Sequence, residues 1–401
     1  MSISYRVRCP PGLELILETE LKRILPHTTF VPKRGIGSLD FSSFDAAPTL
    51  TLNPVDKTLA SIAQNSRVAT GLLFQLGPQF KCEWENQLVD RLRSVSWNYC
   101  YKKGGQLPKI SVKSSRSRLF EPGYVKRLVS ECLQEFNGTT GEQMRSIPDL
   151  SVIVEDDIMR IYIDAGGVNM NRLKLDPFEA TSRLNISEQI AAGCVIRSFN
   201  SVLDRLTSPG TVWDPFSGSG VFPLTVAKTI AGVPAGSPGV PYPFRTYPSH
   251  DTQTFEAVAD ELRLSPHVNA KNIERILLSD SSMEAIGIST RNLQTFSESL
   301  PTIGNESSIP FPISIERKPD AYVPPETDSL AIVTALPAGG DSARKCVKFH
   351  SMLEDVHSRL VGCVVFTSKP LKFKRLSKRQ WLTELRVFDG RRFIEALRLV
   401  S

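Results

Sequence analysis

Residues 213–220, Trp-Asp-Pro-Phe-Ser-Gly-Ser-Gly, form a glycine-rich turn between two apolar segments of different character. The pattern predicts a short strand at 211–213 before the turn and a helix at 221–230 after it. Glycines let the backbone approach a ligand closely, and the first turn of a helix offers free N–H groups. The turn therefore predicts one βα unit of a parallel sheet, with a ligand at the carboxyl end of the strand.

The second half of the chain alternates predicted strands with predicted helices, which indicates a mostly parallel sheet. A helix at 187–200 precedes the glycine turn. Beyond the turn, the pattern predicts strands at 276–279, 330–334 and 362–367 and helices at 283–295 and 342–360. Residues 231–249 interrupt this alternation, are rich in Pro and Gly, and are predicted to be a surface insertion.

The first half of the chain has a different organisation. An alternating stretch at 5–9 predicts a strand with one buried face, and apolar residues at helical spacing follow up to Pro26. A polar region rich in Pro and Ser continues to about residue 58, where a second compact unit begins. We therefore expect three domains, at 1–57, 58–165 and 166–401.

Two acidic residues suggest what the glycine turn binds. Asp214 opens the turn, and Asp280 ends the next predicted strand, where a carboxylate could hold ribose hydroxyls. The turn lacks the Gly-Lys-Ser/Thr of a P-loop and is not a GxGxxG sequence. This arrangement suits a nucleoside with a charged methionine tail better than a pyrophosphate. The alternative is a strand–turn–helix corner in which the glycines serve the backbone geometry alone.

Composition excludes several classes of protein. Hydrophobic residues make up 41% and charged residues 22% of the 401 residues, which argues against general disorder. No apolar run approaches the roughly 18–20 residues of a membrane span. Seven scattered cysteines without a CxxC pair, and five histidines, support neither a disulfide framework nor a metal site. The opening residues show neither a signal peptide nor a transit peptide, so we expect a cytoplasmic or mitochondrial protein.

The glycine turn also carries a family resemblance. Asp214-Pro-Phe-Ser-Gly-Ser-Gly220 is similar to the D-P-[MF]-C-G-S-G loop of class I S-adenosylmethionine-dependent RNA methyltransferases that carry a THUMP domain. The chain most resembles the bacterial large-subunit rRNA guanine-N2 methyltransferases and the related tRNA guanine-N2 enzymes. Residues 11–14 resemble the opening of their ferredoxin-like lobe, residues 66–69 the THUMP core, and residues 280–292 their G-S-D-[IL]-D segment.

The resemblance implies an α/β fold with a ferredoxin-like lobe at 1–57 and an α+β THUMP RNA-binding domain at 58–165. The implied third domain, at 166–401, is a Rossmann-like class I methyltransferase domain with a seven-stranded, mostly parallel sheet. The implied cofactor is S-adenosylmethionine. Asp320 is the candidate partner of its adenine amine, and the alternative is an ordinary loop aspartate. The predicted cofactor-binding residues are Asp214, Phe216, Ser217, Gly218, Ser219, Gly220, Asp280 and Asp320.

The chain departs from the family at the catalytic tetrapeptide, N-P-P-Y or D-P-P-Y/F. There an Asn or Asp oxygen accepts a hydrogen bond from the target amine, and the aromatic ring stacks on the flipped base. The aligned residues here are Ala335, Leu336, Pro337 and Ala338, followed by Gly339. Alanine can neither accept from an amine nor stack on a base, so a loss of several kcal/mol of transition-state stabilisation is expected.

Three explanations of this departure stay open. The chain could have lost catalysis while keeping its RNA-binding body. Asp341 or Ser342 could supply the missing acceptor, although Asp341 equally suits the N-cap of the following helix. The alignment could also be shifted by a residue or two.

A run of basic residues lies within the predicted THUMP domain and agrees with the mildly basic net charge of +6. By resemblance, this part of the domain faces RNA, and such residues would contact phosphates. The predicted RNA-binding residues are Lys102, Lys103, Lys113, Arg116, Arg118, Lys126 and Arg127. A second basic run at 369–379 is equally well explained as a solvated surface. Trp84, Trp97 and Trp213 are predicted to be core residues.

The sequence thus predicts an RNA-binding protein of this methyltransferase family, with weakened or lost catalysis and with S-adenosylmethionine either retained or lost. Its predicted partners are structured RNA, rRNA or tRNA, and a ribosomal assembly intermediate, with no membrane and no metal. The alternative is an active S-adenosylmethionine-dependent guanine-N2 methyltransferase acting on tRNA or rRNA.

Overall fold

A computed structural model describes most of the chain. The described residues are 2–26, 28–33, 36–44, 54–138, 148–170, 186–236, 240–261, 269–300, 302–303, 306–307, 309–336 and 342–400. Within these ranges, no helix combines the length and the apolar character that a membrane crossing requires.

The described part of the first 170 residues contains eight strands and four helices. The strands are β1 (Ser2–Arg8), β2 (Phe30–Lys33), β3 (Ser38–Phe44), β4 (Gly71–Gln75), β5 (Phe80–Lys81), β6 (Ile110–Ser115), β7 (Leu150–Glu155) and β8 (Ile158–Asp164). The helices are α1 (Glu14–Ile24), α2 (Pro54–Asn65), α3 (Glu85–Arg93) and α4 (Pro122–Asn137).

Nine strands and seven helices lie among the residues described beyond position 170. The strands are β9 (Gly210–Asp214), β10 (Ile273–Asp280), β11 (Thr302–Ile303), β12 (Glu306–Ser307), β13 (Ile313–Arg317), β14 (Leu330–Ala335), β15 (Leu360–Thr367), β16 (Trp381–Phe388) and β17 (Phe393–Leu399). The helices are α5 (Glu188–Cys194), α6 (Asn200–Leu203), α7 (Val221–Ile230), α8 (Thr252–Glu261), α9 (Met283–Ser299), α10 (Ser342–Asp355) and α11 (Pro370–Arg375). A π-helical turn, Val195–Phe199, joins α5 to α6.

The chain divides into two compact units. The first unit comprises the described residues of Met1–Cys9, Leu17–Met170 and Gly236–Leu262. The second comprises those of Pro10–Ile16, Asn171–Ala235 and Arg263–Ser401. Each unit has its own large sheet, and the residues of the glycine turn belong to the second unit.

The sheet of the first unit runs through both predicted N-terminal domains. Its strand order is β2-β3-β1-β4-β8-β7-β6, with β5 beside β8. Strand β1 pairs with β3 on one side and with β4 on the other, so the expected boundary at residue 57 does not separate two sheets. Strands β2 and β3 lie where the sequence suggested only a polar region. Strand β2 pairs with β3, and β3 pairs with β1, where Tyr5 and Phe41 stack with ring centroids 5.0 Å apart.

The predicted surface insertion at 231–249 is corrected by the structure. Its second part belongs to the first unit, where Tyr242, Phe244 and Tyr247 are buried. The Tyr242 hydroxyl donates a hydrogen bond to the Ala63 carbonyl at 3.0 Å, and α8 packs against α2. The prediction failed because these aromatic residues show no periodicity, although each can bury a large apolar area.

The sheet of the second unit confirms the predicted seven-stranded, mostly parallel arrangement. Its order is β13-β10-β9-β14-β15-β17-β16. Neighbours from β13 to β15 pair in parallel, whereas β17 is antiparallel to both β15 and β16. Every residue of β9 is buried, as expected for a central strand covered on both faces. The glycine turn follows β9 and therefore lies at the carboxyl edge of this sheet.

Candidate functional site

Asp214, the last residue of β9, organises the glycine turn. Its carboxylate is buried, and its Oδ1 accepts a hydrogen bond from the Phe216 backbone N–H at 3.0 Å. The same oxygen accepts from the Thr334 hydroxyl of the neighbouring strand β14 at 2.6 Å. These bonds connect the turn to two central strands. No sequence motif indicated Thr334, whose only signal is its place at the end of a buried strand.

The two glycines of the turn adopt backbone conformations that other residues rarely adopt. Gly218 has φ of 58° and Gly220 has φ of 77°, both in the left-handed region. A Cβ at Gly220 would lie 2.9 Å from Cδ2 of Leu278 in β10. The Gly220 N–H donates to the Ser217 carbonyl at 2.8 Å and closes the turn just before α7 begins. The turn therefore requires these glycines for its own geometry.

Asp280 joins the turn to the next strand. This residue ends β10 and is 1% exposed. Its Oδ2 accepts a hydrogen bond from the Gly218 N–H at 3.1 Å, and its Oδ1 accepts from the Ser282 N–H at 3.0 Å. The structure thus brings Asp214 and Asp280 to the same turn, as the sequence predicted. Asp280 also holds the backbone of the turn, a role that the sequence did not indicate. A carboxylate offers about four acceptor sites, so these two hydrogen bonds do not exhaust its capacity to accept from a ligand.

Helix α9 supports the outer side of the turn. The Ser289 hydroxyl donates to the Gly218 carbonyl at 2.7 Å, and the Asn292 side-chain amide donates to the Ser219 carbonyl at 2.8 Å. On the inner side, the Trp213 indole N–H donates to the Ser279 hydroxyl at 2.7 Å. The carbonyls of the turn are therefore fixed by side chains, and its shape depends little on the presence of a ligand.

One polar group of the turn is left for a ligand. Ser217 is buried, and its Oγ has no hydrogen-bond partner among the described residues. An unsatisfied buried hydroxyl costs about 1–3 kcal/mol. A polar ligand group that bonded to this oxygen would remove that cost. The unpartnered hydroxyl of Ser217, next to Gly218, thus fits a polar group of a ligand at the predicted place.

Phe216 and the loop after β13 form the side of the site. The Lys318 N–H donates to the Asp280 carbonyl at 3.0 Å, which places this loop beside the end of β10. Tyr322 packs edge-on against Phe216, with ring centroids 5.5 Å apart, and burial raises the pKa of Tyr322 to about 12. The exposed Asp320 accepts a hydrogen bond from the Tyr322 N–H at 3.0 Å. The predicted adenine partner is therefore in the loop that borders the turn.

The end of β14 lacks the polar side chain that the family pattern has there. Ala335 pairs in register with Phe366 of β15, and its half-buried methyl group cannot accept a hydrogen bond. Leu336 is 4% exposed and is part of the hydrophobic core. Pro337, Ala338 and Asp341 lie outside the described residues.

The predicted RNA-binding residues all lie on the surface of the first unit, but Arg116 is engaged by acidic residues. Arg116 contacts Glu155 and Asp156, each at 2.8 Å. Its hydrogen bond with Asp156 raises the pKa of Arg116 and lowers that of Asp156. Glu155 ends β7 and Asp156 follows it, about 40 residues further along the chain, so the local count of basic residues overestimates the positive charge. The exposed residues are Lys102, Lys103, Lys113, Arg116, Arg118, Lys126 and Arg127.

Trp84 corrects a further prediction. Trp97 and Trp213 are buried as expected, whereas Trp84 is 55% exposed. The Arg118 guanidinium lies over the Trp84 ring at 4.8 Å from its centroid and 3.3 Å from Glu83.

The described residues contain no group of three or more His, Cys, Asp or Glu side chains suited to a metal ion.

Comparisons with solved structures agree with the topology. A protein from Clostridium difficile 630, described as a possible methylase, is 16% identical with a TM-score of 0.72 over 100% of this chain and 98% of that chain. SMU.472, solved as a complex with SAH, is 14% identical with a TM-score of 0.69 over 100% and 98%. TrmN from Thermus thermophilus is 17% identical with a TM-score of 0.63 over 100% and 99%.

No protein-family model matches the chain, and no curated protein sequence matches it. At these identities, the likeness to solved structures shows the fold. The similarity extends over nearly the whole of each chain, so it includes both compact units. Together with the sheet order and the glycine turn at its carboxyl edge, this similarity shows that the second unit has the Rossmann-like class I methyltransferase fold.

Proposed function

We propose that this chain is an RNA-binding protein that holds S-adenosylmethionine at the glycine turn and has lost efficient methyl transfer to a base amine. The main support for cofactor binding is the turn itself. Its two glycines are left-handed, its two acids are buried, and the Ser217 hydroxyl has no partner among the described residues. SMU.472, which has a similar fold, was solved with SAH.

The residues of the turn suit the parts of this cofactor. Gly218 and Gly220 would let its methionine tail approach the backbone, and the Ser217 hydroxyl would bond to a polar group. Asp280 would accept from the ribose hydroxyls, Asp320 from the adenine amine, and Phe216 would contact the ring. When bound, S-adenosylmethionine supplies an electrophilic methyl group on its sulfonium sulfur.

The end of β14 determines what the chain can do with that methyl group. An acceptor at Ala335 would orient the lone pair of a target amine, and alanine has no such atom. Loss of one well-placed catalytic hydrogen-bonding group costs about 10²–10³ in rate. We therefore infer that transfer to an exocyclic amine is weak or absent.

RNA binding is the activity that remains on this proposal. We assign it to a THUMP-type domain at 58–165, through its exposed basic residues, and propose rRNA in ribosome assembly as the partner. An active guanine-N2 methyltransferase is the second candidate function. The intact glycine turn favours this second candidate, because a protein that transfers no methyl group does not require a binding site for a methyl donor.

Calorimetric titration of S-adenosylmethionine into the purified chain tests cofactor binding. We expect micromolar affinity in the wild type, at least a hundredfold weaker binding in Asp214→Ala, and unchanged binding in Asp328→Ala. Asp328 is a matched control because it is an exposed aspartate just before β14, at the opposite edge of the same sheet. A wild type that does not bind would overturn the proposed cofactor.

Methyl transfer distinguishes the two candidate functions. The wild type is incubated with S-adenosylmethionine carrying a tritiated methyl group, together with unmodified rRNA or tRNA. Our proposal expects cofactor binding without incorporation above a no-protein control. Rapid incorporation into either RNA would show that the chain is an active enzyme.

A further inference from the structure

A second concentration of positive charge lies in the second unit. Between Asp355 and Glu384 the chain contains no Asp or Glu, and its basic residues there are Arg359, Lys369, Lys372, Lys374, Arg375, Lys378 and Arg379. Helix α10 adds Arg344, Lys345 and Lys348, whereas its acids, Glu354 and Asp355, are its last two residues. The described start of α10 and the whole of α11 are therefore basic.

These two helices both begin at the carboxyl edge of the sheet and pack against each other. Helix α10 follows β14, and α11 follows β15, the neighbouring parallel strand. The rings of His350 in α10 and Phe373 in α11 lie 4.4 Å apart, and His350 Nε2 lies 3.1 Å from the Phe373 carbonyl. Burial raises the pKa of Cys346 in α10, and Lys372 and Lys369 partly offset that rise. These two lysines therefore lie near the first turns of α10.

Other basic residues of the run serve the fold elsewhere. Arg379 forms a 2.8 Å ion pair with Glu354, at the far end of α10. Lys374 donates a hydrogen bond to the Thr383 hydroxyl of β16 at 2.7 Å, and Arg359 donates to the Pro325 carbonyl at 2.8 Å. We define the edge patch by position, as the lysines that lie beside Tyr322 and Cys346: Lys345, Lys348, Lys369 and Lys372.

The edge patch combines cationic, aromatic and apolar groups. Lys348, Lys369 and Lys372 are exposed, and the Lys348 ammonium lies 5.4 Å from the centroid of the Tyr322 ring. Leu371, which is 72% exposed, lies between Lys369 and Lys372 in the chain. The loop of Tyr322 also carries the exposed Asp320, so the surface is not uniformly positive. Lysines that follow phosphates, beside rings and apolar groups that contact bases, are typical of single-stranded nucleic-acid surfaces.

We propose that an RNA strand lies across the starts of α10 and α11, with its phosphates on Lys348, Lys369 and Lys372. A base of this strand would contact Tyr322, whose ring also packs against Phe216 of the glycine turn. The choice of RNA rests on the proposed function above. Charge complementarity supports it, because a polyanion is the partner that several lysines at one edge can hold.

Fluorescence anisotropy with a labelled oligouridylate of about 20 nucleotides, long enough to cover a single-strand site, tests this surface in the full chain. The test variant is Lys369→Gln with Lys372→Gln. The matched control is Arg205→Gln with Lys271→Gln, two exposed basic residues that precede β9 and β10 at the opposite edge of the same sheet. Both double variants remove the same charge.

We expect the test variant to bind the oligouridylate several-fold more weakly at low salt. The slope of its log affinity against log salt falls by about 0.7 for each lysine lost. The control variant keeps the wild-type affinity and slope. Equal weakening in both variants, no change in either, or no binding by the wild type would overturn the proposal. Tighter binding of oligodeoxythymidylate than of oligouridylate would overturn RNA as the occupant.

Cofactor titration keeps this inference separate from the proposed function. The Lys369→Gln, Lys372→Gln variant should bind S-adenosylmethionine as the wild type does, because neither lysine belongs to the glycine turn. Asp214→Ala should show the reverse, with weaker cofactor binding and unchanged oligouridylate binding. If the wild type binds the oligouridylate through the edge patch but does not bind the cofactor, only the proposed cofactor fails.

Discussion

At the carboxyl edge of the second sheet, the ends of β9 and β10 differ from the end of β14 in the polar side chains that they carry. At the ends of β9 and β10, Asp214 and Asp280 accept hydrogen bonds from the Phe216, Gly218 and Ser282 amides. At the end of β14, Ala335 and Leu336 present only apolar side chains. On the proposed function, cofactor binding and methyl transfer therefore depend on different strand ends. The residues at the ends of β9 and β10 also hold the backbone of the glycine turn.

The largest expected effect comes from adding polar groups at the end of β14 and just after it. Ala335→Asn combined with Ala338→Tyr would introduce an amine acceptor and a stacking ring. We expect methyl incorporation from labelled S-adenosylmethionine into cognate RNA to rise by about a hundredfold, the usual effect of one such group. Ala335→Leu with Ala338→Tyr is the control, since it adds the ring without the acceptor. A high rate of methyl incorporation by the wild type would contradict our proposal that the end of β14 lacks a group needed for methyl transfer.

Gly220→Ala tests the backbone geometry of the glycine turn that follows β9. The new Cβ would lie 2.9 Å from Leu278 Cδ2, at a residue with φ of 77°. We expect about 1–3 kcal/mol of lost unfolding free energy and clearly weaker cofactor binding, because the turn must shift. Urea denaturation and calorimetry measure the two effects. Gly390→Ala is the control for φ alone, since it has φ of 95° and open space around its Cβ position; equal losses would show that the close approach to Leu278 is unimportant.

Thr334→Val tests the hydrogen bond from Thr334 of β14 to Asp214 at the end of β9. Valine keeps the shape but removes the hydroxyl that donates to the buried Asp214. We expect a loss of about 1–2 kcal/mol in unfolding free energy and up to a tenfold weaker cofactor affinity. Thr334→Ser keeps the donor and should bind the cofactor nearly as the wild type does. Equal behaviour of the Val and Ser variants would mean that this hydrogen bond does not position Asp214.

Ser217→Ala gives the smallest effect and the most specific one. Its hydroxyl is buried and has no partner among the described residues, so removing it should leave the unfolding free energy unchanged or slightly higher. The cofactor affinity should nevertheless fall several-fold, because a ligand hydrogen bond is lost. Thermal unfolding with and without S-adenosylmethionine measures both quantities. A variant that bound as tightly as the wild type would remove Ser217 from the site.

Much of the second unit could be predicted from local patterns. The glycine turn, its strand and its helix follow from short-range spacing, and the structure places Asp214 and Asp280 together as expected. Thr334 and Ser289 were missed because neither belongs to a pattern. Both reach the turn from elements more than 65 residues away in the chain, with Thr334 on Asp214 and Ser289 on the Gly218 carbonyl.

Parts of the first unit were harder to predict, because their structure depends on partners that are distant in the chain. Strand β3 lies in a polar stretch without clear alternation, and only its pairing with β1 makes it a strand. Trp84 was expected in the core because large aromatic residues usually bury, yet it is exposed beneath Arg118. A run of basic residues likewise contains no information about Glu155 and Asp156, which fold back onto Arg116.

The sequence by itself determined the parallel sheet, the glycine turn and the absence of an acceptor at Ala335. These features depend on residue type and on spacing within a few positions, so they are readable without a structure. The tertiary structure alone decided which carboxylates are already hydrogen-bonded, which cations face acids, and where residues 240–249 pack. The physical reason is that burial and charge pairing depend on distances in space, and a folded chain brings residues together regardless of their separation in sequence.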